Sequence, residues 1–112
     1  MRLKDGTNLE GVSWRMFSAA IKTETVCMRF GVPCVITSAN DGKHSPKSKH
    51  YPKNNRSGDG EALDFRTKYV ELDGRELEFR NAVAQELGQD YDVVIEAVGT
   101  DNEHLHVEHD PK

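Results

Sequence analysis

The segment Tyr91–Asp110 constrains the fold more than any other part of the chain. YDVVIEAV is an apolar, β-branched run, GTDN has the composition of a turn, and EHLHVEHD largely alternates in polarity. Two such runs joined by a turn predict an antiparallel hairpin, because side chains on a strand point to alternate faces. The last strand then has two faces, one with His104, His106 and Glu108 and the other with Leu105, Val107 and His109.

Two helices are predicted before this hairpin. SWRMFSAAIKTETVCMRFG predicts a helix over about Ser13–Phe30, which Ser13 can cap and Gly31 can end. RELEFRNAVAQELG predicts a second helix that ends at Gly88. The apolar residues at helical spacing are Trp14, Phe17, Ala20 or Ile21, Val26 or Cys27, Met28 and Phe30 in the first helix, and Leu77, Ala84 and Leu87, near Phe79 and Val83, in the second.

Two further strands flank a long polar loop. The run VPCVITS predicts a buried strand at about Cys34–Ser38, and EALDFRT predicts another in which Asp64 points away from Leu63 and Phe65. Residues 39–60 between them are rich in Asn, Ser, Gly, Lys and Pro, which predicts a loop. This order of elements indicates an α+β fold with a small antiparallel sheet and helices packed on one side of it.

Composition excludes several classes of function. The 112 residues fit one domain, and a net charge of -4 argues against a general nucleic-acid or anionic-surface binder. No apolar run is long enough for membrane insertion and the N-terminus has no apolar signal segment, so we expect a soluble protein without an export signal. Cys27 and Cys34 lack the spacing of a metal or disulfide motif, which favours small buried side chains.

The histidines are grouped in a way that favours metal chemistry. All of them lie in the polar loop or in the last strand, namely His44, His50, His104, His106 and His109. Taken singly, a histidine in a polar loop is more often only solvated. A catalytic zinc, however, takes three protein ligands, and His50, Asp64 and one histidine of the last strand would supply them on the sheet face.

Three motifs occur in a fixed order: S-x-H at Ser48–His50, G-E-A-L-D at Gly60–Asp64 and E-H-L-H at Glu103–His106. Together they resemble zinc peptidases that cut D-amino-acid bonds in bacterial cell walls. These are the D-alanyl-D-alanine carboxypeptidases, the phage endolysins that cut L-alanyl-D-glutamate, and the related hedgehog signalling domain. DGKHSPKSKHY at Asp41–Tyr51 is closest to the hedgehog type, and DFRT and HLHVEHDP look like small phage-encoded members. The resemblance runs from about Val35 to Pro111.

The resemblance implies a set of ligands and a base. It implies that one zinc ion is bound by His50, Asp64 and His106. It implies Glu103 as the general base in an E-x-x-H arrangement, whereas Glu96 matches the position that hedgehog-like members use. A carboxylate at either place would take a proton from water and pass it to the leaving amine.

Three more residues gain expected roles. His44 matches a family histidine that lies near the metal without binding it, and His104 shares a face with His106. Both are expected to orient the substrate or to stabilise an oxyanion. Glu108 is a candidate to accept a hydrogen bond from the second ring nitrogen of a ligating histidine.

The sequence departs from the family pattern in two places. The interval between His50 and Asp64 is about twice the usual one, because PKNNRSGDG carries a polar insertion. Many of the carboxypeptidases hold their substrate with an arginine after the first strand, where this chain has Asp41. The candidates for the missing positive charge are Lys43, Lys49 and Arg56.

The sequence therefore predicts a zinc peptidase that acts on peptidoglycan stem peptides and is encoded by a phage or prophage. Such a protein would stay in the cytoplasm until a holin releases it or until it is packed into a phage particle, and would then act at the cell wall. Two alternatives remain. One is a non-catalytic, hedgehog-like zinc module that binds a peptide or protein partner. The other is a metal-dependent nuclease, against which the net acidity argues.

Overall fold

In the computed structural model, which describes residues 1–41 and 44–111, two helices cover one face of a five-stranded mixed sheet. The elements are β1 (Arg2–Leu3), α1 (Trp14–Phe30), β2 (Val35–Ser38), β3 (Ala62–Arg66), α2 (Glu76–Leu87), β4 (Tyr91–Glu96) and β5 (His104–His109), with short 3₁₀ turns at Pro52–Asn54 and Val70–Leu72. The strand order is β1-β2-β3-β5-β4. The predicted α+β fold is confirmed.

The sheet is antiparallel except at one edge, where β1 runs parallel to β2. The predicted antiparallel sheet is present in β2 to β5, and β1 adds a parallel edge strand that the sequence did not predict. A strand of two residues is too short to show a period of two in the sequence, so β1 gave no strand signal. The connection between β1 and β2 contains α1, as parallel neighbours require a crossover.

The core lies between the helices and one face of the sheet. Leu63 and Phe65 of β3 and Leu105 and Val107 of β5 are all buried in it. Because side chains alternate along a strand, Asp64, His104 and His106 are left on the opposite face. The predicted orientation of Asp64, away from its two apolar neighbours, is confirmed.

Helix α1 has the predicted position, but its buried face is narrower than its apolar content indicates. Its large apolar residues Trp14, Phe17, Ile21 and Met28 are exposed, by 71%, 41%, 63% and 74%. The buried positions are Met16, Ala19, Ala20, Thr23, Val26 and Cys27. Both sets have helical spacing, and the set with smaller side chains packs against the core. Spacing alone does not distinguish them.

The helix ends agree only in part with the predictions. Gly31 ends α1 in the left-handed conformation, with φ of 72°, as predicted. Ser13 precedes α1 but makes no capping hydrogen bond, and its buried hydroxyl has no partner among the described residues. In α2, Phe79 and Val83 are buried, whereas Leu77 is exposed and does not belong to the predicted stripe.

Two other predictions concern cysteines and membranes. Cys27 and Cys34 are buried and free, as the interpretation of small buried side chains requires. Among the described residues, no helix combines the length and apolar character that crossing a membrane requires.

Candidate metal centre

The loop after β2 carries two histidines to the polar face of the sheet. The backbone N–H of His50 donates to Ser48 Oγ at 3.1 Å, which fixes the turn of the S-x-H motif. The backbone N–H of His44 donates to the hydroxyl of Tyr51 at 2.9 Å. The rings of His44 and His50 stack, with centroids 3.8 Å apart. The loop therefore presents both imidazoles as one packed pair.

The inserted residues form a hydrogen-bonded loop rather than a loose one. The side-chain amide of Asn55 donates to the carbonyls of Lys49 and Asp59 at 2.8 Å each and to that of Tyr51 at 3.3 Å. The backbone of Glu61 then donates to the carbonyl of Lys49 at 3.0 Å. The insertion thus closes on itself, and β3 begins directly beside His50.

Gly60, the first residue of the G-E-A-L-D motif, allows a close approach between two chain segments. A Cβ at this position would lie 3.0 Å from the carbonyl oxygen of His50. Its N–H also donates to the carbonyl of Gly11 at 2.7 Å. A side chain at this position would therefore press on the backbone of a candidate ligand.

Replacing Gly60 by alanine is expected to displace His50 and to destabilise the fold by about 1–3 kcal/mol, the usual cost of overpacking. The measurement is urea unfolding with and without added zinc. The stabilisation that zinc adds should be smaller in the variant than in the wild type. An unchanged zinc increment would contradict the link between Gly60 and His50.

Asp64 is the centre of the site. Its Oδ1 lies 3.2 Å from Nε2 of His50 and 2.9 Å from Nδ1 of His106. His50 is only 2% exposed and Asp64 only 6%. The structure therefore brings together the three residues that the sequence predicts as ligands.

The charges of this cluster are strongly coupled. Burial alone would raise the pKa of Asp64, but the hydrogen bonds from His106 and His50 outweigh it and hold the pKa well below its usual range. Burial likewise lowers the pKa of His106, but the contacts with Asp64 and Glu108 outweigh it and raise the pKa to about 10. Without a metal, the cluster thus holds positive charge beside a carboxylate.

The hydrogen-bond partners identify which ring nitrogens are free to bind a cation. Nδ1 of His50 donates to the carbonyl of Ala39 at 2.8 Å, because a carbonyl only accepts. Nε2 of His106 lies 2.8 Å from Glu108 Oε1 and donates to that carboxylate. With these protons placed outward, His50 Nε2 and His106 Nδ1 both turn toward Asp64 Oδ1. Each of these two nitrogen–oxygen contacts requires a proton or a metal ion between its atoms.

Two spacings at the site can be compared with zinc coordination. Ligands about 2.0–2.2 Å from a tetrahedral zinc lie about 3.3–3.6 Å from one another. The contacts of Asp64 Oδ1 with His50 and His106, at 3.2 and 2.9 Å, are somewhat shorter. Each pair would therefore move slightly apart to accept an ion between its atoms.

Replacing Glu108 by alanine should weaken zinc binding by about 10- to 100-fold, because His106 would lose the acceptor that orients its ring. Glu108→Gln is the matched control, since its amide oxygen still accepts the hydrogen bond. Competition with a chromophoric chelator would measure both affinities. Equal losses in the two variants would contradict the orienting role and indicate that only the charge matters.

The other two site histidines lie at the edge of the cluster. Nδ1 of His104 donates to the carbonyl of Asn102 at 2.8 Å, and its Nε2 lies 2.9 Å from Glu96 Oε1 and 3.7 Å from Asp64 Oδ2. Nε2 of His44 donates to the carbonyl of Asp41 at 2.8 Å. Burial and the neighbouring His50 lower the pKa of His44, which favours its neutral form.

Asp64 belongs to two groups that could hold a metal ion, one with His44 and His50 and the other with Glu96 and His104. His106 is in neither group and is linked to them by its contact with Asp64, and His109 does not join either group. It lies 3.2 Å from Glu61 Oε2, on the other face of β5.

The two candidate bases have different surroundings. Glu96 pairs with His104 across β4 and β5, and its Oε1 lies 3.8 Å from Nδ1 of His106. Both oxygens of Glu103 instead accept hydrogen bonds, one from the N–H of Gly99 in the hairpin at 3.2 Å and the other from the hydroxyl of Thr67, just after β3, at 2.8 Å. The geometry therefore favours Glu96 as the group that faces Asp64 and its histidine neighbours.

The cluster opens into a groove of about 830 Å³. Of the cations expected from the sequence, Lys49 lines this groove but also pairs with Asp110 at 3.2 Å, and Arg56 lines a separate, smaller pocket. Lys43 lies outside the described residues. The structure adds Arg66, two positions after Asp64 on the same strand, which the sequence reasoning missed although strand alternation places it on the polar face.

No protein-family model, curated protein or solved structure matches this chain. Its function is therefore inferred from the site itself and from the sequence motifs. What the site offers is a buried carboxylate with imidazoles around it that could hold a metal ion, at the bottom of an open groove.

Proposed function

We propose that this chain is a zinc-dependent metallopeptidase that hydrolyses a peptide bond in bacterial peptidoglycan stem peptides. The observation that carries the proposal is that Asp64 Oδ1 contacts both His50 Nε2, at 3.2 Å, and His106 Nδ1, at 2.9 Å. The outward N–H of each histidine already has an acceptor, so the inward atoms are left for a cation. Two imidazoles and one carboxylate are a donor set that suits catalytic zinc.

Bound zinc would supply a Lewis acid that polarises the scissile carbonyl and makes a neighbouring water more acidic. The chain would supply the proton transfers. Glu96 lies at the rim of the cluster, where its carboxylate takes a proton from the attacking water and passes it to the leaving nitrogen. The open groove gives a peptide access to this carboxylate.

His104 has two properties that support a role beside Glu96. Its Nε2 lies 2.9 Å from Glu96 Oε1, so the ring holds that carboxylate in place. In the substrate complex, an N–H at this nitrogen could turn from Glu96 to the substrate oxygen and stabilise its negative charge. His44 packs against the opposite side of His50 and limits how that ring can rotate.

The assignment of peptidoglycan as the substrate comes from the order of the three motifs, and the groove agrees with it. Stem peptides carry carboxylates, and lysines and an arginine line the groove next to the candidate metal centre. We further propose that the protein reaches the cell wall through a holin or as part of a phage particle, since these routes deliver the phage-encoded proteins it resembles.

The test is hydrolysis of purified peptidoglycan by the zinc-loaded protein, with products identified by mass spectrometry. We expect new amine and carboxyl ends within stem peptides, loss of cleavage with a chelator and recovery when zinc is restored. Zinc binding without cleavage would instead indicate the non-catalytic binding module. Cleavage that a chelator does not affect would overturn the metal mechanism.

A further inference from the structure

Arg66 lies on the wall of the groove beside the candidate metal centre. It is the last residue of β3 and pairs with His104 of β5, so its side chain leaves the sheet on the same face as Asp64. The residue is half-buried and lines the groove. The Cα of Arg66 is therefore one strand repeat from that of Asp64, and its side chain lines the same groove.

The guanidinium of Arg66 makes no hydrogen bond or ion pair with any residue in the described ranges 1–41 and 44–111. The other cations that line the groove either have a hydrogen-bond or ion-pair partner or are exposed. Lys49 pairs with Asp110 at 3.2 Å, and Lys68 donates to the carbonyl of Thr100 at 3.0 Å. Lys47 lies on the exposed rim. A half-buried arginine with all its donors unused is suited to bind an anion that enters the groove.

The distance from Arg66 to the candidate metal centre limits which carboxylate of a substrate can be that anion. Two residues along a strand separate the Cα atoms of Asp64 and Arg66 by about 6.5–7 Å. In a peptide, the carboxylate carbon of the residue whose nitrogen is released lies three bonds, or about 3–4 Å, from the scissile carbonyl carbon. A carboxylate at that place can reach Arg66 while the carbonyl lies at the cluster.

We infer that Arg66 is a specificity residue, which binds the α-carboxylate of the substrate residue that is released as the amine. This inference rests on the proposed function, because the position of the scissile bond fixes which carboxylate is meant. A planar guanidinium binds a carboxylate through two parallel hydrogen bonds, which a lysine cannot reproduce. Arg66 thereby performs the role for which the sequence had suggested Lys43, Lys49 or Arg56.

The test uses binding rather than turnover. The zinc-loaded Glu96→Gln variant is titrated calorimetrically with acetyl-D-alanyl-D-alanine and its carboxyl-terminal amide, and with acetyl-L-alanyl-D-glutamate and its α-amide. In at least one pair, the free carboxylate should bind about 10- to 100-fold more tightly than the amide, as expected for a charge-assisted bidentate contact. Adding Arg66→Met should remove this preference, and Arg66→Lys should restore only part of it.

Lys47→Met is the matched control, because it removes the same charge from the same groove and should keep the preference. Equal binding of acid and amide in both pairs would overturn the inference, and so would a preference that survives Arg66→Met. The wild type is assayed for cleavage separately. A carboxylate preference that depends on Arg66 but comes without any cleavage would reject the peptidase and retain Arg66 as a binding residue.

Discussion

Glu96→Gln is expected to lower kcat for stem-peptide hydrolysis by about 10²- to 10⁴-fold, the range that loss of a general base produces. Zinc should remain bound at the wild-type level, because His50, Asp64 and His106 are unchanged. The glutamine keeps the size of the side chain but cannot take a proton from water. Single-turnover assays on a defined stem peptide, with zinc content measured on the same samples, would give both quantities.

Glu103→Gln is the matched control for this prediction. Glu103 holds the β4–β5 turn through Thr67 and Gly99, so its replacement should lower the midpoint of thermal unfolding and leave kcat nearly unchanged. We expect a loss of stability of about 0.5–1.5 kcal/mol, the usual worth of a hydrogen bond. The base assignment would be reversed if Glu103→Gln lost the activity and Glu96→Gln kept it.

Asp64→Asn should remove zinc from the protein and abolish hydrolysis with it. The carboxylate contacts both candidate histidine ligands and is buried, so its replacement by an amide removes the negative charge that lies between them. We expect about one zinc per wild-type chain and an affinity reduced by more than about 100-fold in the variant. Atomic emission on dialysed protein and chelator competition would measure these two values.

Asp92→Asn is the control for Asp64→Asn. Asp92 lies in β4 and forms a separate acidic group with Glu108 and Asp110. Its replacement should leave the zinc content unchanged. A variant of Asp92 that loses zinc, while Asp64→Asn retains it, would move the metal to that acidic group.

The sequence predicted the polar face of the sheet well, because strand alternation is a strong constraint. Once Leu105 and Val107 were assigned to the core, His104 and His106 had to share the other face, and the same reasoning oriented Asp64. The partner of each histidine was harder to predict. Only the contact between His106 and Glu108, two residues apart on one strand, followed from the sequence.

Other features depended on contacts that spacing does not encode. Helix α1 has two apolar stripes, and packing against α2 and the sheet selected the one that contains Ala19 and Ala20. The E-x-x-H spacing favoured Glu103, but this residue precedes β5 and its oxygens are bonded to Thr67 and Gly99. The register of β4 and β5 instead pairs Glu96 with His104. The closure of the inserted loop by Asn55 was likewise hidden from the sequence.

The most direct measurement is an anomalous difference map at the zinc edge from crystals of the zinc-loaded protein. We expect one strong peak about 2.0–2.2 Å from His50 Nε2, His106 Nδ1 and an oxygen of Asp64. Glu96 should lie near that peak without binding it directly. A peak at Asp92, Glu108 and Asp110, or no peak at all in protein crystallised with zinc, would contradict the proposed metal centre.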